Sequence, residues 1–120
     1  MAFAITVTGG FSAAHQLRLY DGSMEPMHGH NWRVKVVVRS EGLDGIGVVM
    51  DFHELERMVD AIVGPWHNRN LNEMAEFVEN NPSAENVAFC VGRSLELPNG
   101  VELESIEVWE TDSCSAVYRP

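Results

Sequence analysis

The segment spanning residues 32–39 carries a large apolar side chain at every second position, with mostly basic side chains between them. A period of two is typical of a β-strand that buries one face against a core and exposes the other. The apolar face consists of Trp32, Val34, Val36 and Val38, and the opposite face carries Arg33, Lys35 and Arg39. The chain must therefore fold around a half-buried strand.

Two histidines, His28 and His30, lie directly before this strand and are separated by Gly29. Side chains at i and i+2 of a strand point to the same face, so the two imidazoles can converge on one point. A third, His15, ends another apolar stretch that also has strand character. Three histidines with an open fourth position are typical of catalytic zinc, which predicts a Zn²⁺ site, although the residues alone also allow ordinary hydrogen-bonded histidines.

The rest of the chain predicts two strands, two helices and two further strands, a single α+β domain over residues 1–120 with both helices on one face of a sheet. We expect Gly9–Gly10 to interrupt the first strand with a bulge or bend. Helical spacing follows Asp51 and Ser83, two residues suited to capping. The long polar connection at 66–81 is of a length that often has a function.

The composition limits the possible partners. Eighteen acidic and eight basic residues give a formal charge of −10, which repels nucleic acid and anionic membranes. No apolar run approaches the roughly 20 residues that span a bilayer, and the first residues lack the basic start of a signal peptide, so we expect a cytoplasmic protein. Of the two cysteines, Cys90 lies on the apolar face of a predicted helix and is expected in the core.

Six motifs, in this order, resemble those of the 6-pyruvoyltetrahydropterin synthase family, which includes the queuosine-pathway carboxytetrahydropterin synthases. They are Phe11–His15, His28–Trp32, Val49–Phe52, Leu71–Asn72, Pro82–Asn86 and Glu110–Thr111. The resemblance spans Phe3 to Tyr118. It implies the tunnelling fold, in which each subunit supplies a four-stranded antiparallel sheet and two helices. Three such sheets close into a barrel, and two trimers stack as a homohexamer.

The same resemblance implies a function for particular residues. Family members bind zinc through three histidines, which correspond to His15, His28 and His30, and their usual substrate is dihydroneopterin triphosphate. The family acid that anchors the pterin ring corresponds to Glu110. A carboxylate suits this role because it can accept hydrogen bonds from the ring N–H and the exocyclic amine together. Thr111 is expected to help orient the ring.

One departure from the family pattern lies just before the histidine pair. Where family enzymes usually carry a proton-transferring cysteine, this chain has Met24, and a thioether has no ionisable proton. Glu25 stands beside it. This pattern resembles a third class of the family, in which a glutamate replaces or neighbours the missing cysteine. In that class the side chain of dihydroneopterin triphosphate is removed to leave 6-hydroxymethyl-7,8-dihydropterin. Glu25 is thus the predicted catalytic base.

A second departure lies in the long connection, where the family usually has Leu-Asp-His-x-x-Leu-Asn. This chain has His67 and Asn68 at the Asp-His positions, and Asn68 cannot act as a base. His67 is a second catalytic candidate, and Arg69 is a candidate for binding phosphate. Besides the lyase, two alternatives stay open: the 6-carboxy- or 6-pyruvoyl-tetrahydropterin synthase reaction with His67 as proton carrier, or a pterin-binding homologue without activity.

Overall fold

A computed structural model describes residues 2–120. The chain forms five strands and two α-helices, joined in part by short 3₁₀ turns. In chain order these elements are β1 (Phe3–His15), β2 (His28–Ser40), α1 (Phe52–Val63), β3 (Arg69–Asn70), α2 (Ala84–Ser94), β4 (Glu102–Thr111) and β5 (Cys114–Tyr118).

One sheet contains all five strands in the order β3-β1-β2-β4-β5. The four long strands are antiparallel neighbours, and the two helices pack on the sheet, which confirms the predicted α+β class. The fifth strand, β3, was not predicted. It has only two residues, too few to show a period, and it pairs in parallel with Ala13–Ala14.

The core lies between the helices and one face of the sheet. The predicted apolar face of β2 is buried, with Trp32 only 2% exposed. Helix α1 contributes Leu55, Val59 and Val63 to this core, and α2 contributes Val87, Ala88 and Val91. Within residues 2–120, no helix is both long enough and apolar enough to span a membrane.

The expected break at Gly9–Gly10 is wrong. Strand β1 keeps one register against β2 from Phe3, opposite Ser40, to His15, opposite His28. At Gly10 an added Cβ would lie 2.8 Å from the backbone oxygen of Trp32 on the neighbouring strand. The glycine therefore permits a close approach of two backbones without a bulge.

The turn into β3 is held by a left-handed residue. Asn68 has φ of 59°, and its backbone N–H donates to the Ser12 oxygen at 2.6 Å. Asparagine tolerates this conformation better than residues with an apolar Cβ substituent, and glycine adopts it freely. We expect Asn68→Ala to lower the free energy of unfolding by about 1 kcal/mol, and Asn68→Gly to change it little. Urea denaturation of the three proteins would check this, and equal losses for both variants would contradict the backbone explanation.

Candidate functional site

Three histidines converge at the end of the β1–β2 hairpin, on the same face of the sheet as the helices. His15 lies directly opposite His28 in the register, and Ala13 lies opposite His30. The Nε2 atoms of His15 and His28 are 3.0 Å apart. The ring of His30 packs edge-on against both other rings, with centroid distances of 5.2 Å to His15 and 4.7 Å to His28. The strand pairing thus builds the three-histidine group that the sequence predicts.

Backbone carbonyls orient two of these rings. Nδ1 of His15 lies 2.7 Å from the Pro82 oxygen, and Nδ1 of His28 lies 2.9 Å from the Pro26 oxygen. A carbonyl can only accept, so each Nδ1 donates, and in a neutral ring the lone pair is then on Nε2. Two such lone pairs at 3.0 Å repel each other unless a cation lies near both. This arrangement, with the second nitrogen held by a backbone oxygen, is common among metal-binding histidines.

His30 supplies the third nitrogen. Within the described chain, its Nε2 is buried and has no hydrogen-bond partner. Burial is the main cause that lowers the pKa of His30 below its ordinary value; His15 and His28 act in the same direction, whereas Glu110 and Glu25 oppose the shift. A lowered pKa keeps the imidazole neutral near pH 7, which is the form that binds metals.

Glu110 reaches into the same group. Its Oε1 lies 2.8 Å from His15 Nε2 and 3.8 Å from His30 Nε2. The ligand atoms of His15, His28, His30 and Glu110 all lie within 4.8 Å of one another. Imidazole nitrogen and carboxylate oxygen are both zinc ligands, so the four residues could hold such an ion.

A β-bulge positions Glu110. Trp109 pairs with Ser115 and Thr111 pairs with Cys114, so Glu110 is the extra residue of β4 against β5. Bulges re-aim a side chain and occur often beside functional sites. Glu110 alternates with the buried residues Ile106 and Val108, so its place on their face can be read from the sequence, but its closeness to the histidines depends on how the strands pair.

The candidate metal group consists of His15, His28, His30 and Glu110. Glu25, the predicted base, lies beside this metal group but is not part of it. Its Oε1 is 3.9 Å from His28 Nε2 and accepts the Leu17 N–H at 3.0 Å. The Glu25 N–H in turn donates to the Leu17 oxygen at 3.0 Å. These two bonds fix the loop, so the carboxylate stays next to the histidines. Met24 is partly exposed, at 41%.

His67 lies elsewhere in this chain. Its ring is exposed, and Nδ1 accepts the Ser12 N–H at 3.0 Å at the edge of the sheet. Among residues 2–120, no hydrogen bond or ion pair joins His67 to His15, His28 or His30. The catalytic role of His67 stays a prediction. Thr111, also exposed, follows Glu110 at the end of β4.

An open groove of about 540 Å³ borders His30 at the β3 side of the hairpin. Small and polar residues line it, together with one cation: Ser12, Ala13, Ala14, Gly29, His30, Asn31, Asn68 and Arg69. Arg69, the predicted phosphate ligand, therefore lines the same groove as His30.

The side chains of two asparagines, Asn72 and Asn81, hold the segment after His15. The Asn72 amide accepts the Gln16 N–H at 2.9 Å and donates to the Gln16 oxygen at 2.8 Å. The Asn81 amide does the same for Arg18, at 2.8 and 3.0 Å. These side chains take the place of a neighbouring strand. Asn72 belongs to the Leu71–Asn72 motif, whereas no motif contains Asn81.

Neither cysteine lies in the group formed by the three histidines and Glu110. Cys90 is buried in the core as expected, and burial raises the pKa of its thiol. Cys114 is exposed in the β4–β5 hairpin, where hydrogen bonds from the Thr111 and Ser113 side chains lower its pKa. The metal group contains neither residue.

Comparison with known proteins identifies the family. The model of the 6-pyruvoyl tetrahydropterin synthase family matches residues 4–120. The chain belongs to this family. A relative from Pyrococcus furiosus, named dihydroneopterin monophosphate aldolase, is 35% identical over 112 residues, which cover 92% of this chain and 91% of the relative.

Solved structures of family members share the fold. The Caenorhabditis elegans 6-pyruvoyl tetrahydropterin synthase superposes with a TM-score of 0.84 at 24% identity, covering 100% of this chain and 96% of that one. A Plasmodium vivax enzyme of the same name gives a TM-score of 0.79 at 17% identity, covering 100% of this chain and 98% of that one. This structure is that of an alanine variant of a catalytic glutamate of the Plasmodium vivax enzyme. These likenesses confirm the tunnelling fold of this chain.

Proposed function

We propose that the protein is a zinc-dependent lyase that removes the side chain of phosphorylated 7,8-dihydroneopterin and leaves 6-hydroxymethyl-7,8-dihydropterin. The observation that carries this proposal is the Glu25 carboxylate, 3.9 Å from a histidine of the metal group, in a chain without the family cysteine. The Pyrococcus furiosus relative supports it, since its name is that of an aldolase on dihydroneopterin monophosphate. The Plasmodium vivax enzyme adds an example of a catalytic glutamate in this fold.

The three histidines would hold the zinc ion. The orphaned Nε2 of His30 and the facing Nε2 atoms of His15 and His28 support this assignment. When bound, zinc lowers the pKa of a hydroxyl group and polarises a carbonyl oxygen.

Glu25 carries the proton in this scheme. Its carboxylate takes the proton of the side-chain hydroxyl on the second carbon from the ring, and the O–H electron pair becomes the new C=O bond. The bond between the first and second side-chain carbons breaks, and its electron pair passes into the electron-poor pterin ring. Glu25 then returns the proton to the first carbon. The products are the hydroxymethyl pterin and glycolaldehyde phosphate, so all atoms balance.

Glu110 and Arg69 bind the two ends of the substrate in this proposal. The Glu110 carboxylate accepts from the pterin ring N–H and its exocyclic amine, with Thr111 beside it. Arg69, in the groove next to His30, binds the phosphate as a charge-assisted pair despite the net negative charge of the chain. We also propose the homohexamer. Residues 2–120 leave the face of the sheet opposite the helices uncovered, and three such sheets can cover one another in a barrel.

Product analysis tests the function. The zinc-loaded protein would be incubated separately with dihydroneopterin triphosphate and monophosphate, and the products identified by mass. We expect 6-hydroxymethyl-7,8-dihydropterin and the matching glycolaldehyde phosphate from at least one substrate. Binding of these pterins without turnover of either one would overturn the proposed lyase activity and indicate a pterin-binding protein.

The synthase reaction is the second candidate, because the family model that matches residues 4–120 is named for 6-pyruvoyl tetrahydropterin synthase. In that reaction His67 would carry the proton. The same mass analysis separates the two candidates: a pterin with its three-carbon side chain retained, or a 6-carboxy pterin with acetaldehyde, indicates the synthase.

A further inference from the structure

We infer that Asn72 and Asn81 are positioning residues that hold Glu25, the proposed base, beside the histidines. The task of Glu25 in this inference rests on the proposed lyase reaction, whereas its placement rests on hydrogen bonds of the chain itself. Leu17 bonds Glu25 through both of its backbone groups: its N–H donates to the carboxylate at 3.0 Å, and its oxygen accepts the Glu25 N–H at 3.0 Å. The position of the carboxylate therefore follows the position of Leu17.

Leu17 lies between the two residues that the asparagines bond. The side-chain amide of Asn72 bonds both backbone groups of Gln16, at 2.9 and 2.8 Å. The side-chain amide of Asn81 bonds both backbone groups of Arg18, at 2.8 and 3.0 Å. In an extended segment the backbone groups of alternate residues point to the same edge. The asparagines therefore bond one edge of this segment, and Leu17 bonds Glu25 at the other edge.

Glu25 ends a short hairpin that has little packing of its own. Met24 pairs with Arg18, and the Leu19 N–H closes the turn by donating to the Ser23 oxygen at 2.7 Å. The large hydrophobic side chains in and just after the hairpin are exposed: Leu19, Tyr20, Met24 and Met27. A segment with few buried apolar contacts depends on its hydrogen bonds for a fixed position. The bonds from the two asparagine amides supply this by holding the start of the hairpin against the long connection.

The two asparagines are themselves held by regular elements. The Asn72 N–H donates to the Asn70 side chain in β3 at 3.0 Å, and the Asn81 oxygen accepts from the Asn86 side chain in α2 at 2.8 Å. Strand β3 belongs to the sheet and α2 packs on it, so both asparagines have a fixed place. A displacement of about 1 Å at a reacting group can cost roughly a hundredfold in rate, so this support matters for turnover.

Amide hydrogen exchange tests the positioning without any substrate. Wild type would be compared by NMR with Asn72→Ala, Asn81→Ala and the matched control Asn80→Ala, which changes an exposed neighbour. We expect the Leu17 and Glu25 N–H groups to exchange about tenfold faster or more in the first two variants, and at the wild-type rate in the control. Wild-type exchange of both N–H groups in Asn72→Ala and Asn81→Ala would overturn the inference.

Turnover of the zinc-loaded protein tests the effect on Glu25. We expect Asn72→Ala and Asn81→Ala each to lower kcat by about ten- to a hundredfold, with KM and zinc content near the wild-type values. The same substitutions in Glu25→Gln should have no further effect, because residues that act only through this carboxylate lose their effect with it. Equal fold losses in both backgrounds would show a general structural effect and overturn the positioning role.

Failure of the proposed function gives a different result. If the wild type forms no hydroxymethyl pterin, the lyase reaction is wrong, and hydrogen exchange still decides whether the asparagines hold Glu25. If an alanine variant does not fold, Asn72→Asp or Asn81→Asp replaces it, since a carboxylate accepts the backbone N–H and loses only the donated bond. Faster exchange at Leu17 and Glu25 is expected there too, and wild-type exchange would overturn the inference.

Discussion

Replacing Glu25 with glutamine is expected to lower kcat by about 10²–10⁴-fold while zinc content stays at the wild-type level. Glutamine has the shape of glutamate, and its amide oxygen can still accept the Leu17 N–H that holds the loop. What it loses is the ability to take a proton from the substrate hydroxyl. Because Glu25 lies outside the four-residue metal group, the loss should appear in turnover and not in metal binding.

The matched control is Glu79→Gln, which removes one negative charge from an exposed position in the long connection. This variant should keep wild-type kcat and zinc content. Turnover and bound zinc would be measured on the same preparations of all three proteins. Wild-type turnover by zinc-loaded Glu25→Gln would show that another group takes the proton, and His67→Gln would then be the next variant to assay.

Most of the fold could be predicted because it depends on periodicity. The period of two from Trp32 to Val38 and the helical spacing after Asp51 each report which side of an element is buried, and both hold in the structure. Strand β3 was missed because two residues show no period. The bend expected at Gly9–Gly10 was wrong because a glycine pair also suits a close approach of two straight backbones, as Gly10 makes with Trp32.

In the candidate site, too, spacing along the sequence predicts the positions of some residues but not of others. The spacing of His28 and His30 places them on one face whatever the rest of the chain does, and pairing of the two hairpin strands adds His15. Alternation places Glu110 on the same face of β4 as Ile106 and Val108, but its distance from the histidines depends on the pairing of β4 with β2 and β5, which spacing cannot reveal. The placement of Glu25 depends on a loop closed by its own bonds to Leu17, so only its identity, and not its distance, could come from the sequence.

Removing either of two proposed metal ligands, His15 or His28, should abolish zinc binding, but with different effects on the metal-free protein. His15 is fully buried, donates to the Pro82 oxygen and packs edge-on against Trp32 at 4.9 Å. His15→Ala leaves a cavity and an unpaired carbonyl, which should lower the free energy of unfolding by about 2–4 kcal/mol. The His28 side chain is 40% exposed, so His28→Ala should cost about 1 kcal/mol or less.

Stability measured with and without zinc distinguishes the loss of metal binding from the loss of packing in His15→Ala and His28→Ala. A ligand that binds only the folded state, at 100 times its Kd, adds about 2.7 kcal/mol to wild-type stability. Neither variant should gain this increment, because each lacks one of the three nitrogens. Urea denaturation at one protein concentration, with zinc and with a chelator, would measure both quantities. A full zinc increment in His28→Ala would exclude that residue as a ligand. Equal metal-free stabilities of the two variants would mean that the buried His15 ring and its bond to Pro82 contribute no more to the fold than the His28 ring. If both expectations hold, His15 couples the metal centre to the start of α2, since Pro82 directly precedes the Ser83 cap of that helix.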